Sequence, residues 1–212
     1  MSDEPTALSF RFVPPPRVEA GWLVCRRVRG GDAGDLYRAV EASMDHLRPW
    51  MPWAAGYTPE AAEDFVARNA PAAGDAPVSD APYLACDGHG RLLGVFGLHA
   101  RLAGNSLEIG YWVDVRHTGR GVATLAVAAL TELAVGIPAL EAVEIHHDQA
   151  NVASGAVPAK LGYRHVASCH EKPQAPGEIG VEWQWRMTAA AWPASAGARL
   201  LAAARAAGSD PR

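Results

Sequence analysis

The chain has 212 residues, 49% of them hydrophobic, which supplies one sizeable core, and its 19 Lys+Arg against 23 Asp+Glu leave a formal charge of -4. That balance argues against wrapping of a nucleic-acid duplex, and Cys25, Cys86 and Cys169, odd in number and widely spaced, argue against a disulfide framework or a thiolate metal site. There is no basic start followed by an apolar run, as in a signal peptide, and no stretch approaches the roughly 20 apolar residues of a membrane span, so a soluble, cytoplasmic protein is expected, with neither nucleic acid nor membrane as partner.

In chain order, residues 1–20 read as an extended, proline-rich segment, and Trp22 to Val28 as the first strand. Asp32 opens a helix whose Leu36, Tyr37, Val40, Met44 and Leu47 recur at helical steps until Pro49 ends it. Thr58-Pro59-Glu60 is a helix start, with Thr as N-cap and Pro at the first helical position, and that helix runs to about Asn69. Residues 70–78 form a loop. Tyr83 to Cys86, Leu92 to His99 and Leu107 to Val113 follow as an antiparallel meander. A helix then buries Val122, Leu125, Ala126, Ala129, Leu130 and Leu133 on one face. A strand (Ala142 to His147), a helix (Val152 to Leu161, ended by Gly162) and strands at Tyr163 to Ser168 and Val181 to Met187 complete the pattern. The expected fold class is α/β: a mixed, mostly antiparallel sheet of six to seven strands with helices on both faces, occupying residues 21–187. The alanine-rich segment 188–212 is a weak helix or a frayed tail.

Gly119 and Gly121 stand immediately before a helix. They permit unusual backbone angles and close approach to the main chain, and the first helical N–H groups have no internal partner, so the turn is suited to an anion such as a phosphate. Gly-x-x-x-x-Gly-Lys-Ser/Thr lacks its lysine here, and Gly-x-Gly-x-x-Gly would need glycine where Thr124 stands, which excludes the two familiar nucleotide loops. A merely tight βα turn is the alternative. One βα step later come Asn151-Val152-Ala153-Ser154 and Lys160-Leu161-Gly162-Tyr163, at the same edge of the sheet. His146-His147-Asp148 is not a metal site, because neighbours on a strand point to opposite faces.

Strand, Gly-x-Gly-x-Ala, helix, strand, Asn-x-x-Ser and Lys-x-Gly-Tyr together resemble the GNAT acyltransferases. Leu47 to Ala54, rich in tryptophan, and the Ile109 to Val113 strand resemble the family's RimJ/RimL branch, the ribosomal-protein N-terminal acetyltransferases. The resemblance spans roughly residues 20–187. It implies an acetyl-coenzyme A-dependent N-acetyltransferase without a metal, acting on a small-molecule or peptide amine by direct attack, and allows a homodimer. A coenzyme A-binding module without turnover is the alternative.

The resemblance maps the family's pyrophosphate loop, Gln/Arg-x-x-Gly-x-Gly/Ala, onto Thr118, Gly119, Arg120, Gly121, Val122 and Ala123, with Thr124 following. Thr118 departs from the pattern. A register beginning at Arg116 also fits but lies less directly against the helix start. By the same resemblance Val113 offers a backbone N–H to the thioester carbonyl, Val115 adds a cofactor contact, and Asn151 meets the pantetheine arm or caps its helix. Arg120 either faces phosphate or is a solvated arginine. Ser154 is the implied general acid and a cofactor contact near the sulfur, or a helix-start serine. Pro158 cannot donate to the Ser154 carbonyl, which predicts a local kink. Glu108 and Glu171 are the candidate bases, or solvated glutamates. His46, Trp50 and Trp53 wall the acceptor pocket in this reading, or serve as core or dimer contacts.

Overall fold

The computed structural model describes residues 12–70, 79–102 and 104–208. The first eleven residues, nearly all of the 70–78 loop and the last four residues of the tail lie outside the described residues. Eight strands form one open sheet: β1 (Arg17–Ala20), β2 (Leu23–Arg27), β3 (Asp80–Cys86), β4 (Leu92–His99), β5 (Ser106–Val113), β6 (Ala142–Asp148), β7 (Arg164–His170) and β8 (Val181–Thr188). Their order is β1-β2-β3-β4-β5-β6-β8-β7, and every neighbouring pair is antiparallel except β5 and β6.

The mixed, mostly antiparallel sheet matches the sequence pattern. The strand beyond the expected six to seven is β1, inside the segment read as extended. Only Val18 and Ala20 turn inward there, while Arg17 and Glu19 stay out, so four residues between prolines and a turn carry too little alternation to read as a strand.

On one face, α1 (Ala33–Ala42), α2 (Met44–Leu47) and α3 (Pro59–Asn69) cover the first half of the sheet, Leu36, Ala39, Ala62 and Val66 packing on Val24, Leu84 and Val95. The single helix expected from Asp32 to Leu47 is broken at Ser43, whose backbone leaves the helical region. Ser43 is fully buried, and its Oγ accepts the Val115 N–H at 2.9 Å, a bond made seventy-two residues away and invisible to local periodicity. The start of α3 is as expected: Thr58 Oγ1 accepts the Ala61 N–H at 3.2 Å, with Pro59 as the first helical residue.

On the other face, α4 (Val122–Val135), α5 (Val152–Leu161) and α6 (Ala196–Ala207) pack over the rest of the core. In α4 the buried surface is not one stripe. Ala126 to Leu130 are all fully buried, whereas Leu133 is only partly so. A helix apolar all round needs cover all round, and the C-terminal segment provides it: α6 packs on α4 and β1, with Leu201 fully buried and Trp192 nearly so. Ser195 caps α6 by accepting the Ala198 N–H at 3.0 Å. The 188–212 segment thus contributes a packed helix up to Ala207.

Leu201→Ala is expected to cost about 2–5 kcal/mol, the usual range for removing a buried leucine. Urea unfolding of the variant checks this; a change within ~0.5 kcal/mol, as at ordinary surface positions, would mean that α6 is only an appendage.

Candidate active site

The site begins where two strands part. β5 and β6 pair over only three residues each, Ser106 to Glu108 with Ala142 to Glu144. Beyond that point β5 stays with β4 as far as Val113, and β6 stays with β8 as far as Asp148. The Asp114 N–H donates to the Leu93 carbonyl at 2.9 Å. Main-chain groups alternate sides along a strand, so those of Ile109, Tyr111 and Val113 face away from β4 and into the gap. The Val113 N–H therefore lies along the open seam. The Val115 N–H is donated to Ser43 Oγ at 2.9 Å.

A cleft of about 800 Å³ opens at this gap. Trp50, Trp53, Glu108, Tyr111, Asn151, Ser154 and Glu171 all line it. His46 does not; it lies on the exposed side of α2, because Leu47 is the residue that this short helix turns inward. Trp53 packs against Tyr57 and Trp112, with ring centroids 5.5 and 6.2 Å apart, and makes one end of the cleft aromatic. Gly177 donates its N–H to the Pro49 carbonyl at 2.8 Å, so the β7–β8 loop reaches over to the α2–α3 connection. A Cβ on Gly177 would sit 2.7 Å from that carbonyl oxygen. Only a residue without a side chain allows this bridge.

Ser154 lies in the first turn of α5. Asn151 Oδ1 accepts its N–H at 3.1 Å, so the capping role of Asn151 is realised while the residue also faces the cleft. α5 is continuous from Val152 to Leu161 with Pro158 inside it. The Ser154 carbonyl, denied a donor by Pro158, accepts the Tyr111 hydroxyl at 2.9 Å, and the Tyr111 and Ser154 hydroxyl oxygens are 3.2 Å apart. Burial pushes the Tyr111 pKa up to about 12, so the phenol keeps its proton at neutral pH. Local sequence reasoning misses Tyr111 because it sits 43 residues from Ser154 and on a strand; the signal is Pro158, which frees a carbonyl that needs a donor.

The glycine loop has the geometry that the sequence suggests. Gly119 and Gly121 have φ of 72° and 82°, the left-handed region, and a Cβ on either would meet nothing within 4 Å. The main chain is open there. Gly121 begins α4 with no side chain capping it, so the N–H groups of Val122, Ala123 and Thr124 point outward from the helix start. Thr118 turns back to donate to the Val115 carbonyl at 3.0 Å, and Arg120 lies 3.4 Å from His117 Nδ1. Arg116 is held by the fully buried Asp114, with Nε 2.9 Å from Oδ1. That pairing takes Arg116 away from the loop and favours the register beginning at Thr118.

One polar row crosses the face of the sheet that borders the cleft: Asp80, His99, Glu108, Glu144 and Arg186 are successive cross-strand partners from β3 to β8. Arg101 grips both oxygens of Glu108, at 2.6 and 2.5 Å, and Arg186 Nη1 lies 2.7 Å from Glu144. Glu108 is therefore a clamped carboxylate, whereas Glu171 is exposed on the loop after β7. His146 Nε2 lies 2.9 Å from Glu144, while His147 faces the other side of the sheet and accepts from Trp185 Nε1 at 2.9 Å. Burial works to lower the His146 pKa, but the Glu144 hydrogen bond and the charges of Glu108 and Glu182 outweigh it and hold the value above the ordinary one. Among the described residues no cluster of His, Cys, Asp or Glu is arranged to hold a metal, and no helix is long and apolar enough to cross a membrane.

The family model for the acetyltransferase (GNAT) domain matches residues 23–164. Mycobacterium smegmatis RimJ, solved in complex with CoA-disulfide, is 28% identical, with 91% of this chain and 94% of that chain covered and a TM-score of 0.72. RimL, the ribosomal L7/L12 alpha-N-protein acetyltransferase solved with coenzyme A, is 16% identical over 81% of this chain and 97% of its own, with a TM-score of 0.69. The ribosomal-protein-S5-alanine acetyltransferase from Vibrio fischeri is 16% identical over 83% and 98%, with a TM-score of 0.67. At that identity the last two show a shared fold. No curated protein matches the sequence.

A raised histidine pKa stabilises the fold below the unfolded value, 6.5, and the contribution fades as pH rises through the folded value. His146→Gln should therefore lose more stability relative to the wild type at pH 6 than at pH 9. Urea midpoints at the two pH values check this, and an equal gap would show that the His146–Glu144 pair carries no charge-dependent stability.

Proposed function

The chain belongs to the GNAT acetyltransferase family, and from that premise we propose that it transfers the acetyl group of acetyl-coenzyme A to a primary amine, the α-amino group of a peptide or protein N-terminus being the leading acceptor and a small-molecule amine the other. The observation that carries this reading is the gap between β5 and β6: the Val113 N–H faces it, and Tyr111, Ser154 and Asn151 line the cleft that opens there.

The residues fit the coenzyme. Gly119 to Thr124, open at the glycines and uncapped at the start of α4, hold the pyrophosphate through backbone N–H groups. Asn151 meets the pantetheine arm, and the Val113 N–H is the donor for the thioester carbonyl. When bound, acetyl-coenzyme A supplies an activated acetyl thioester. Ser154 then returns a proton to the departing sulfur, and Tyr111, neutral and donating its own proton to the Ser154 carbonyl, lies 3.2 Å from the Ser154 hydroxyl and fixes the serine's rotamer. The likeness to RimJ and the RimJ/RimL-like motifs support an N-terminal amine as acceptor. The Pro49–Gly177 bridge supports it too, since a roofed cleft admits a chain end more readily than a chain interior. Trp50 and Trp53 then receive the residues that follow the amine.

Acetyl-coenzyme A at about 100 times its dissociation constant should raise stability by about 2.7 kcal/mol, read as a thermal shift, and Gly121→Glu should abolish the shift. Equal stabilisation by ATP and acetyl-coenzyme A would sink the cofactor assignment. Ser154→Ala should keep the shift but slow thiol release about 10²-fold or more, the usual scale of acid–base assistance. An unchanged rate would remove Ser154 from the chemistry.

A further inference from the structure

We propose that His99, held in place by Asp80, is the group that takes the proton from the acceptor amine. The inference rests on the acetyl-transfer reading above and adds to it a residue that the sequence does not single out.

His99 ends β4 and pairs across the sheet with Asp80 on one side and Glu108 on the other. Its Nδ1 lies 2.6 Å from Asp80 Oδ1. A carboxylate accepts, so Nδ1 carries the proton and Nε2 is left as the bare, basic nitrogen. The ring does not stand away from the sheet. It lies over Gly97 and Gly110, which are cross-strand partners: a Cβ added to Gly97 would collide with Nε2, and one added to Gly110 would lie 3.3 Å from it. Two facing glycines make a dip in the cleft floor, and the imidazole fills it. Gly110 is two residues past Glu108, the last residue of β5 that pairs with β6. Nε2 is thereby placed beside Gly110, where the gap begins. His99, Gly97 and Gly110 line the same cleft as Ser154 and Trp50.

The other charged groups leave this role open. Arg101 clamps Glu108 through both oxygens, and Glu171 is exposed on its loop. The titratable and charged neighbours of His99 are Asp80 of β3, Arg101 after β4 and Glu108 of β5; Arg68 of α3 and His146 of β6 line the cleft from other sides. Nε2 has no hydrogen-bond partner among the described residues.

An α-amino group, with a pKa of roughly 7.7–8.0, is mostly an ammonium ion at neutral pH. It gives one proton to His99 Nε2, and the imidazolium keeps its Nδ1–H on Asp80. The freed lone pair forms the C–N bond to the acetyl carbon and the C–S bond breaks. The nitrogen's second proton, lost as the amide forms, replaces the one that Ser154 gives the thiolate, and His99 releases its own to solvent. One ammonium ion and one thioester give one amide, one thiol and one proton.

The test follows thiol release from acetyl-coenzyme A with short peptides of varied first residue and with a polyamine, from pH 6 to 9, for the wild type, His99→Gln and Asp80→Asn. His99→Gln should lower kcat about 10²- to 10⁴-fold near pH 7, leave KM for acetyl-coenzyme A and the acetyl-coenzyme A thermal shift unchanged, and recover toward high pH, where the amine loses its proton unaided. Asp80→Asn should show a smaller loss of the same kind. Long-range 1H–15N correlation on the unliganded protein should find Nδ1 protonated and Nε2 bare. A wild-type kcat in His99→Gln across the pH range, or a proton on Nε2 with Nδ1 bare, overturns the assignment. If the wild type releases no thiol with any amine, the transfer reading itself fails and takes His99 with it; if the wild type turns over and His99→Gln equals it, only His99 falls.

Discussion

The structure turns on a mismatch of pairing. β5 and β6 are parallel partners for three residues and then separate, because each already has a longer commitment on its other side, β5 to β4 and β6 to β8. Two twisted half-sheets joined by a short parallel seam must open beyond it. The opening turns a row of main-chain groups, Val113 among them, into the gap instead of toward a neighbouring strand. Everything else in the site is arranged along that edge: the glycine loop follows the end of β5, and α5 follows the end of β6.

Both faces of the opening are bridged. On one, Tyr111 of β5 reaches Ser154 of α5, using a carbonyl that Pro158 leaves free. A proline inside a helix is usually a cost; here the lost helical bond is replaced by a phenol donor that ties a helix to the strand across the gap. Gly155 belongs to the same arrangement, since a Cβ there would sit 2.8 Å from the His147 ring, and without it α5 could not lie so close to β6. On the other face, Gly177 meets Pro49, joining the β7–β8 loop to the helical side.

The two halves of the sheet are covered differently. β2 to β4 are packed on both faces, so their burial is nearly continuous. β6 and β8 are covered by helices on one face alone, and their other face carries Glu144, His146, Glu182, Gln184 and Arg186. The polar row from Asp80 to Arg186 marks where the packed half meets the open half. Its members satisfy one another along the row, Asp80 with His99, Arg101 with Glu108, Glu144 with His146 and Arg186, so charge stays at the cleft without being left unpaired.

Much of this was legible in the residues themselves. Periodicity, the Thr58-Pro59 start and the Gly119-x-Gly121 turn mark helices, strands and the open glycine loop, because caps, left-handed glycines and apolar spacing are local properties of the backbone. The capping position of Asn151 was legible for the same reason. What local pattern could not carry were the relations across the chain: the break at Ser43 made by Val115, the cover of α4 by α6, the reach of Tyr111 to Ser154, and the clamp of Arg101 on Glu108. Sequence by itself determined most of the helices and strands and the open glycine turn, since those depend on residues within a few positions of one another. Which hydroxyls, carboxylates and imidazoles face one another was decided only by tertiary structure, because strand pairing and the parting of β5 from β6 set those neighbours, and neither is encoded within any one segment.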